Sequence, residues 1–405
     1  MPLHGRIEIP KPQVKKGSYI LVNQTIAHAI NNYLGLSETF IYSYLTNSKR
    51  YKPIVLTTQI ANLEQFPFHP IYDCSKISRY SWWWLRDRLG YYLYLNKKEY
   101  FEHILYFKYV LNKEKSRLIH AHFGPQGVAM IPIKRWLKLP LITTFYGFDV
   151  TQLPREDIWN KPYQRLFKEG DLFLVEGNHM QRSLMGIGCS SEKIVIQHIG
   201  VDTEKINFKE RTFPSDGKIV ILCCGRFVEK KGLIYALQAL KLLISKNPQI
   251  EFRIIGDGIL RNSIESFVKE NNLSPYVHLL GYQSHYVFVE ELGKAHIYLQ
   301  PSVTAQNGDS EGGAPTTLIE AQASGVPVLS TYHADIPEVV VNGKSGFLVP
   351  ERDAHALAER LEYLIAHPEE WPTMGMEGRR HIEMNYNIYK ETENLENIYD
   401  ALIRK

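Results

Sequence analysis

Gly308-Asp-Ser-Glu-Gly-Gly-Ala-Pro-Thr-Thr-Leu-Ile-Glu-Ala-Gln-Ala-Ser-Gly325 decides how this chain is read. An apolar run at 295–300 leads into it and stops at Pro301, as a buried strand does. A polar, glycine-rich loop follows. A helix then starts at Pro315, because proline suits the first helical turn, and stops at Gly325, where a left-handed residue belongs. Glu311 lies in the loop and Glu320 inside the helix. The N–H groups of 316–318, Thr316 and Thr317 among them, lack helical acceptors and face an anion together with the positive end of the helix dipole. Acid, donors and a second acid suit a phosphorylated, hydroxyl-rich ligand such as a sugar nucleotide. They equally suit an ordinary strand–loop–helix crossover with solvated glutamates, so the segment alone leaves both readings open.

Outward from this segment, the second half of the chain repeats one pattern. Strands at 218–224, 251–255, 277–280, 326–330 and 346–349 alternate with helices at 232–245, 259–271, 287–293 and 336–341, and Asp353 caps a further helix to residue 366. The first half carries strands at 19–22, 53–57, 117–120, 141–145, 172–175 and 193–198, with a helix at 36–45 after the first. Short apolar runs alternating with helical periods mean βαβ units and parallel sheets. At 405 residues the chain exceeds what one core supports. The fold class is therefore α/β, with two Rossmann-like doubly wound domains, and ligands belong at the carboxyl ends of the strands. The link between them is read at 200–216.

A formal charge of +4 and a pI near 8.6 fit an anionic substrate or an acidic membrane surface, and are too weak to argue for nucleic acid. Cys74, Cys189, Cys223 and Cys224 have no metal spacing, which points to a reducing, cytoplasmic setting. No window has the ~18 apolar residues of a membrane span. Residues 80–115 mix Trp82, Trp83 and Trp84 with Arg79, Arg86, Arg88, Lys97, Lys98 and Lys108 nearby. Such helices either lie against an anionic membrane or pack on the first sheet.

Two further loops carry chemistry. Gly225-Arg-Phe-Val-Glu-Lys-Lys-Gly232 follows a strand and opens a helix. Arg226 and Lys231 there suit a diphosphate and the charge that grows on it as its glycosidic bond breaks. Gly256, in Ile255-Gly-Asp-Gly258, is a second glycine turn after a strand, though not a full dinucleotide fingerprint. In the first half, Gly35 sits in a strand-to-helix turn where a ligand can approach the backbone.

These stretches, with 311–328 and Gly-Phe-Leu-Val-Pro at 346–350, resemble the retaining family-four glycosyltransferases of GT-B fold. Leu-Ser-Glu-Thr-Phe (36–40), His-Ala-His-Phe-Gly (120–124) and Phe-Tyr-Gly-Phe-Asp-Val (145–150) are similar to the branch that builds bacterial exopolysaccharides such as colanic acid and amylovoran. The resemblance implies two domains facing across a cleft: residues 1–205 binding the acceptor, 206–384 binding the nucleotide sugar, and 385–405 a helix crossing back to the first. It implies Arg226 and Lys231 on the donor diphosphate, Glu320 on the ribose, Glu311 on the sugar hydroxyls, and Gly35, Gly256, Gly312, Gly313, Thr316 and Thr317 lining the substrate. No metal and no cofactor are expected. The implied reaction moves a hexose, with retention, from a UDP-type sugar to a glycan or lipid-linked acceptor in the cytoplasm or at the inner face of the membrane.

Two departures stand out. Eight residues separate Glu311 and Glu320 where the family has seven, the extra one being a glycine of Gly312-Gly313. Either the loop absorbs it as a bulge, or Asp309 or backbone N–H groups replace Glu311. The family's histidine in the Phe-His-Gly turn, near the reacting carbon, is Tyr146 here, a catalytic-site candidate that can still hydrogen-bond a sugar hydroxyl but does not titrate near neutrality. His122 is the candidate to compensate; a packed, hydrogen-bonded histidine is equally open. His120 and His122 share a strand face but have no third metal ligand in view. Two other functions are compatible with such a chain: a sugar-nucleotide epimerase, or a nucleotide-sugar-binding subunit without catalysis.

Overall fold

The structure, a computed structural model, describes residues 24–36, 38–75, 104–245 and 249–404. Seven strands form the first sheet: β1 (Gln24–Tyr33), β2 (Tyr51–Ile60), β3 (Ile71–Asp73), β4 (Ser116–His122), β5 (Leu141–Thr144), β6 (Leu172–Val175) and β7 (Ile194–Ile196). Six form the second: β8 (Ile219–Cys224), β9 (Ile250–Ile255), β10 (Val277–Gly281), β11 (Ile297–Gln300), β12 (Val328–Thr331) and β13 (Gly346–Val349). The orders are β3-β2-β1-β4-β5-β6-β7 and β10-β9-β8-β11-β12-β13, and adjacent strands pair in parallel. This is the GT-B architecture of two Rossmann-like sheets.

Both faces of each sheet are covered, as parallel sheets require. Along β1, Ala27 and Ala29 enter one core, while Ile26 and Ile30 face the other side. Along β8, Cys223 and Cys224 likewise pack into opposite clusters. None of the four cysteines forms a disulfide.

The strand β1 has no counterpart in the sequence reading. Residues 19–22 lie outside the described residues, and β1 starts at Gln24. Its His28 and Asn31 break the apolar run that a strand search follows. The short edge strand β3 and the helix Trp371–Asn385 were not anticipated. The aromatic-basic segment falls largely outside the described residues. Its last part, helix Ile104–Lys113, buries Ile104, Phe107, Val110 and Leu111 in the first core. Among the described residues, no helix is long and apolar enough to cross a membrane.

The final helix, Ile388–Ile403, is capped by Asn387, whose side chain accepts from the Tyr389 N–H at 3.0 Å. Its Leu395, Ile398 and Tyr399 pack with Ile26, Leu118 and Ile142 of the first sheet. The chain thus crosses between domains twice, and the crossings touch. Val201 N–H donates to Tyr386 O (2.8 Å), and Ile388 N–H donates to Val201 O (3.0 Å).

Candidate active site

The loops leaving β8, β9 and β11 share one edge, where the strand order reverses between β8 and β11. Sheets of this kind bind ligands there. Gly225, just past β8, leaves room for the Lys231 stem: a Cβ at Gly225 would stand 3.2 Å from Lys231 Cδ. Lys231 therefore reaches across to the loop after β11, where its Nζ meets Glu311 Oε2 at 2.8 Å. Ser302 Oγ donates to Glu311 Oε1 at 2.7 Å, and the Glu311 N–H donates to His333 Nε2 at 3.1 Å. Burial alone would raise the Glu311 carboxyl. The charges of Lys231 and Lys230, with hydrogen bonds from Lys231 and Ser302, outweigh it and hold the group below the usual carboxylate range.

Lys230 is buried and donates to Asp309 Oδ1 (3.1 Å) and Ser310 O (2.9 Å). Asp309 is thus committed to Lys230, and Glu311 keeps its place beside Lys231 despite the extra residue. Arg226 is exposed, and its guanidinium forms no hydrogen bond or ion pair among the described residues.

Pro315 stands at the N-cap rather than inside the helix, which runs Thr316–Ala323. Leu318 N–H already donates to Pro315 O (2.9 Å), so the free donors reduce to those of Thr316 and Thr317. Thr317 Oγ1 accepts from Tyr298 OH at 2.7 Å. Glu320, one turn on, is buried, and its Oε1 lies 2.6 Å from His285 Nε2. That hydrogen bond raises the His285 pKa above the ordinary imidazole value, against burial.

Two glycines are placed differently from the sequence expectation. The Gly256 N–H donates to Gly281 O at 2.8 Å, and at φ +138° a Cβ there would lie 1.9 Å from Gly225 O. Gly256 therefore lets two loops close on each other and has no donor left for a ligand. The Gly35 N–H is taken by Glu38 Oε2 at 2.7 Å, so a phosphate reaching that turn meets a carboxyl group first.

On the first sheet, His120 and His122 project from β4, and His28 joins them from β1. One nitrogen from each of the three rings lies within 4.8 Å of the other two, so the third ligand that the sequence did not reveal is present in space. The rings are nevertheless bonded without an ion. His28 Nδ1 pairs with His122 Nε2 (2.9 Å), His122 Nδ1 with Tyr146 OH (2.6 Å), and His120 with both Tyr399 OH and Thr144 Oγ1 (2.6 Å each). Burial lowers all three pKa values, that of His28 to about 3. His122 is thus neutral and sealed behind Tyr146. Both of its ring nitrogens are taken, by His28 and by Tyr146, so any part it has in the site runs through the Tyr146 hydroxyl.

The first domain meets the Glu311 loop directly. Gly147 has φ +118°, and a Cβ there would stand 2.5 Å from Glu311 O. A Cβ at Gly312 would fall 2.2 Å from Gly147 Cα, and one at Gly313 only 1.7 Å from Glu176 Oε2. The two adjacent glycines thus let this loop pack closely against Gly147 and Glu176. Burial, with the charges of Asp335, Asp149 and Glu311, pushes the Glu176 carboxyl well above its usual range.

The chain matches the Glycosyltransferase Family 4 model over residues 50–205 and the Glycosyl transferases group 1 model over 204–381. It is 33% identical over 285 residues to the putative colanic acid biosynthesis glycosyltransferase WcaL of Escherichia coli, covering 70% of each chain. The chain belongs to the family-four, group 1 glycosyltransferases. The WcaL of Salmonella typhimurium is 36% identical over 244 residues, and the chain spans 59% of its length. The amylovoran biosynthesis glycosyltransferase AmsK of Erwinia amylovora is 33% identical over 283 residues, 69% of each chain. Among solved structures, Anabaena HepE in complex with UDP superposes with a TM-score of 0.75 at 16% identity, over 94% of this chain and 100% of that one. HepE has also been solved with UDP-glucose.

In this glycosyltransferase, Ser302, His333, His285, Glu176 and Gly147 join the site although sequence reading did not select them. Ser302 and Glu176 each stand just past a strand's carboxyl end, which was the available signal. His333, two residues past β12, carries the same signal, whereas nothing in the local pattern marks His285, whose partner lies 35 residues away.

Proposed function

We propose that this glycosyltransferase moves a hexose from a UDP-sugar to a hydroxyl of a glycan or lipid-linked oligosaccharide, with retention, in bacterial surface polysaccharide synthesis. Residues 206–384 hold the donor and residues 1–205 the acceptor, at the cytoplasmic side of the membrane. The observation carrying this reading is that Lys231, Glu311, the Thr316–Ala323 N-terminus and Glu320 gather at the strand-order reversal of the second sheet, against the first domain.

Arg226 and Lys231 neutralise the diphosphate, the N–H groups of Thr316 and Thr317 add to its binding, Glu320 takes the ribose, and Glu311 takes the donor sugar. As the bond from the anomeric carbon to the phosphate oxygen breaks, its electron pair passes to the leaving diphosphate. The acceptor oxygen attacks from the same face, and its proton goes to the departing phosphate oxygen. This chemistry needs no protein nucleophile. With two cations and a helix dipole at the diphosphate, it proceeds without a metal. The UDP and UDP-glucose bound to HepE, and the exopolysaccharide names of WcaL and AmsK, support the donor class and the biological setting.

Incubation with a panel of nucleotide sugars tests the reading. Slow release of UDP from one donor, without epimerised donor, is expected. Binding of no nucleotide would overturn it, and epimerised donor in the absence of acceptor would replace it.

A further inference from the structure

β1 and β4 flank the reversal of strand order in the first sheet, so the segments leaving them border that sheet's ligand crevice. Three aromatic rings stand on this rim: Phe40 at the start of helix Thr39–Asn47, Phe123 just past β4, and Tyr146 just past β5. The Tyr146 ring centre lies 4.8 Å from those of both Phe40 and Phe123. Each ring is half-buried, where a pure core residue would be sealed in.

Phe123 is held at φ 72°, ψ 145°, a backbone conformation that a bulky residue rarely adopts. Bonds on both sides enforce it. Phe123 N–H donates to Thr144 O (2.8 Å), and Gly124 N–H donates to Asp149 Oδ2 (2.9 Å). Oδ1 of the same carboxylate accepts from Tyr146 N–H (2.9 Å), so one buried aspartate fixes two of the rings. His122 then holds the Tyr146 hydroxyl at 2.6 Å. Strain maintained this firmly gathers at ligand sites. The next residue, Gly147, touches the Glu311–Gly312 backbone.

We propose that Phe40, Phe123 and Tyr146 form a stacking platform for a pyranose ring of the acceptor. The polarised C–H face of a pyranose packs against the negative faces of aromatic rings. The titratable groups bonded at this rim, Glu38, Asp149 and His122, bring two acids and an imidazole but no cation, which suits an uncharged sugar over a phosphate headgroup. The inference rests on the transferase reading for the direction of transfer; the platform itself is tested without catalysis.

The probes are a set of methyl hexopyranosides, observed by saturation-transfer NMR, and UDP, observed by calorimetry. At least one pyranoside binds the wild-type protein through one ring face. F40L keeps the apolar volume but loses the π face, and weakens that binding roughly fivefold, while F40Y retains it. A merely structural Phe40 would give F40L and F40Y the same affinity, and that result overturns the proposal, as does the absence of pyranoside binding. UDP affinity unchanged in F40L shows an intact fold. Failure of the wild-type protein to bind UDP would count against the transferase reading instead.

Discussion

Lys231 Nζ and Glu311 Oε2 lie 2.8 Å apart with side chains only 14% and 7% exposed, so the cation assigned to the diphosphate and the acid assigned to the sugar are each other's partner. On the proposed roles, a donor entering this site competes with Glu311 for Lys231, which would couple donor binding to release of the acid.

Arg226 and Lys231 should separate when replaced by alanine. R226A removes an exposed, unpaired cation, so Tm stays unchanged while kcat falls on the order of a hundredfold. K231A loses turnover as well, and also leaves Glu311 buried without its main counter-charge, at a cost of roughly 3 kcal/mol. Calorimetry beside steady-state kinetics checks this. Equal stability of the two variants would refute the role of the buried pair.

The insertion can be tested through its neighbour. G313A pushes a methyl group into the Glu176 carboxyl and should destabilise by about 1–3 kcal/mol, much of it recovered in the double variant E176A/G313A. G147A meets backbone instead, at a positive φ, so trimming a side chain cannot rescue it. Denaturant titrations of the double-mutant cycle decide between coupled and additive behaviour.

His285 gives the donor site a pH dependence. Its folded pKa is raised above 6.5 by the Glu320 hydrogen bond, so its stabilisation is complete below that value and is lost as pH rises through the raised one. The wild type should lose Tm relative to H285A across that interval. H285Q, which can still donate to Glu320, should restore donor KM at neutral pH but abolish the pH dependence. Identical profiles for the three proteins would remove His285 from the site.

Asp335 makes the domain contact pH-sensitive as well. Its Oδ1 accepts from His179 N–H (2.6 Å) and its Oδ2 from Met180 N–H (3.3 Å), at the start of helix Asn178–Gly186 in the first domain. Burial above all, with the charge of Glu338, raises it to about 7, although the two N–H bonds pull it down. A raised folded pKa means stability is complete below the unfolded value of 3.8 and is lost as pH climbs to about 7. D335N should therefore lose less Tm than the wild type between about pH 4 and pH 7. Parallel pH slopes would show that the carboxyl does not titrate there.

The strand–helix alternation and the loops at Arg226–Lys231 and Glu311–Glu320 were legible because parallel sheets leave short apolar runs and place function at the strand ends. β1 is not legible because its His28 and Asn31 interrupt that run, although six consecutive residues of it are buried. The third histidine escaped because the register of β1 against β4, which sets His28 beside His120, is written in no local pattern. Gly256 and Gly35 were read as ligand contacts from a shared glycine signal. Only coordinates show that Gly281 O and Glu38 already occupy their N–H groups.

Val201 and Ile388 belong to two strands of chain that pass between the domains side by side, with Ile388 Cα 2.5 Å from where a Cβ on Gly200 would stand. A single tether would let the second domain swivel in any direction. Two tethers bonded to each other behave as paired pins on one axle. Any rotation between the domains would then be confined to a narrower arc, one that keeps the Glu311 backbone opposite Gly147.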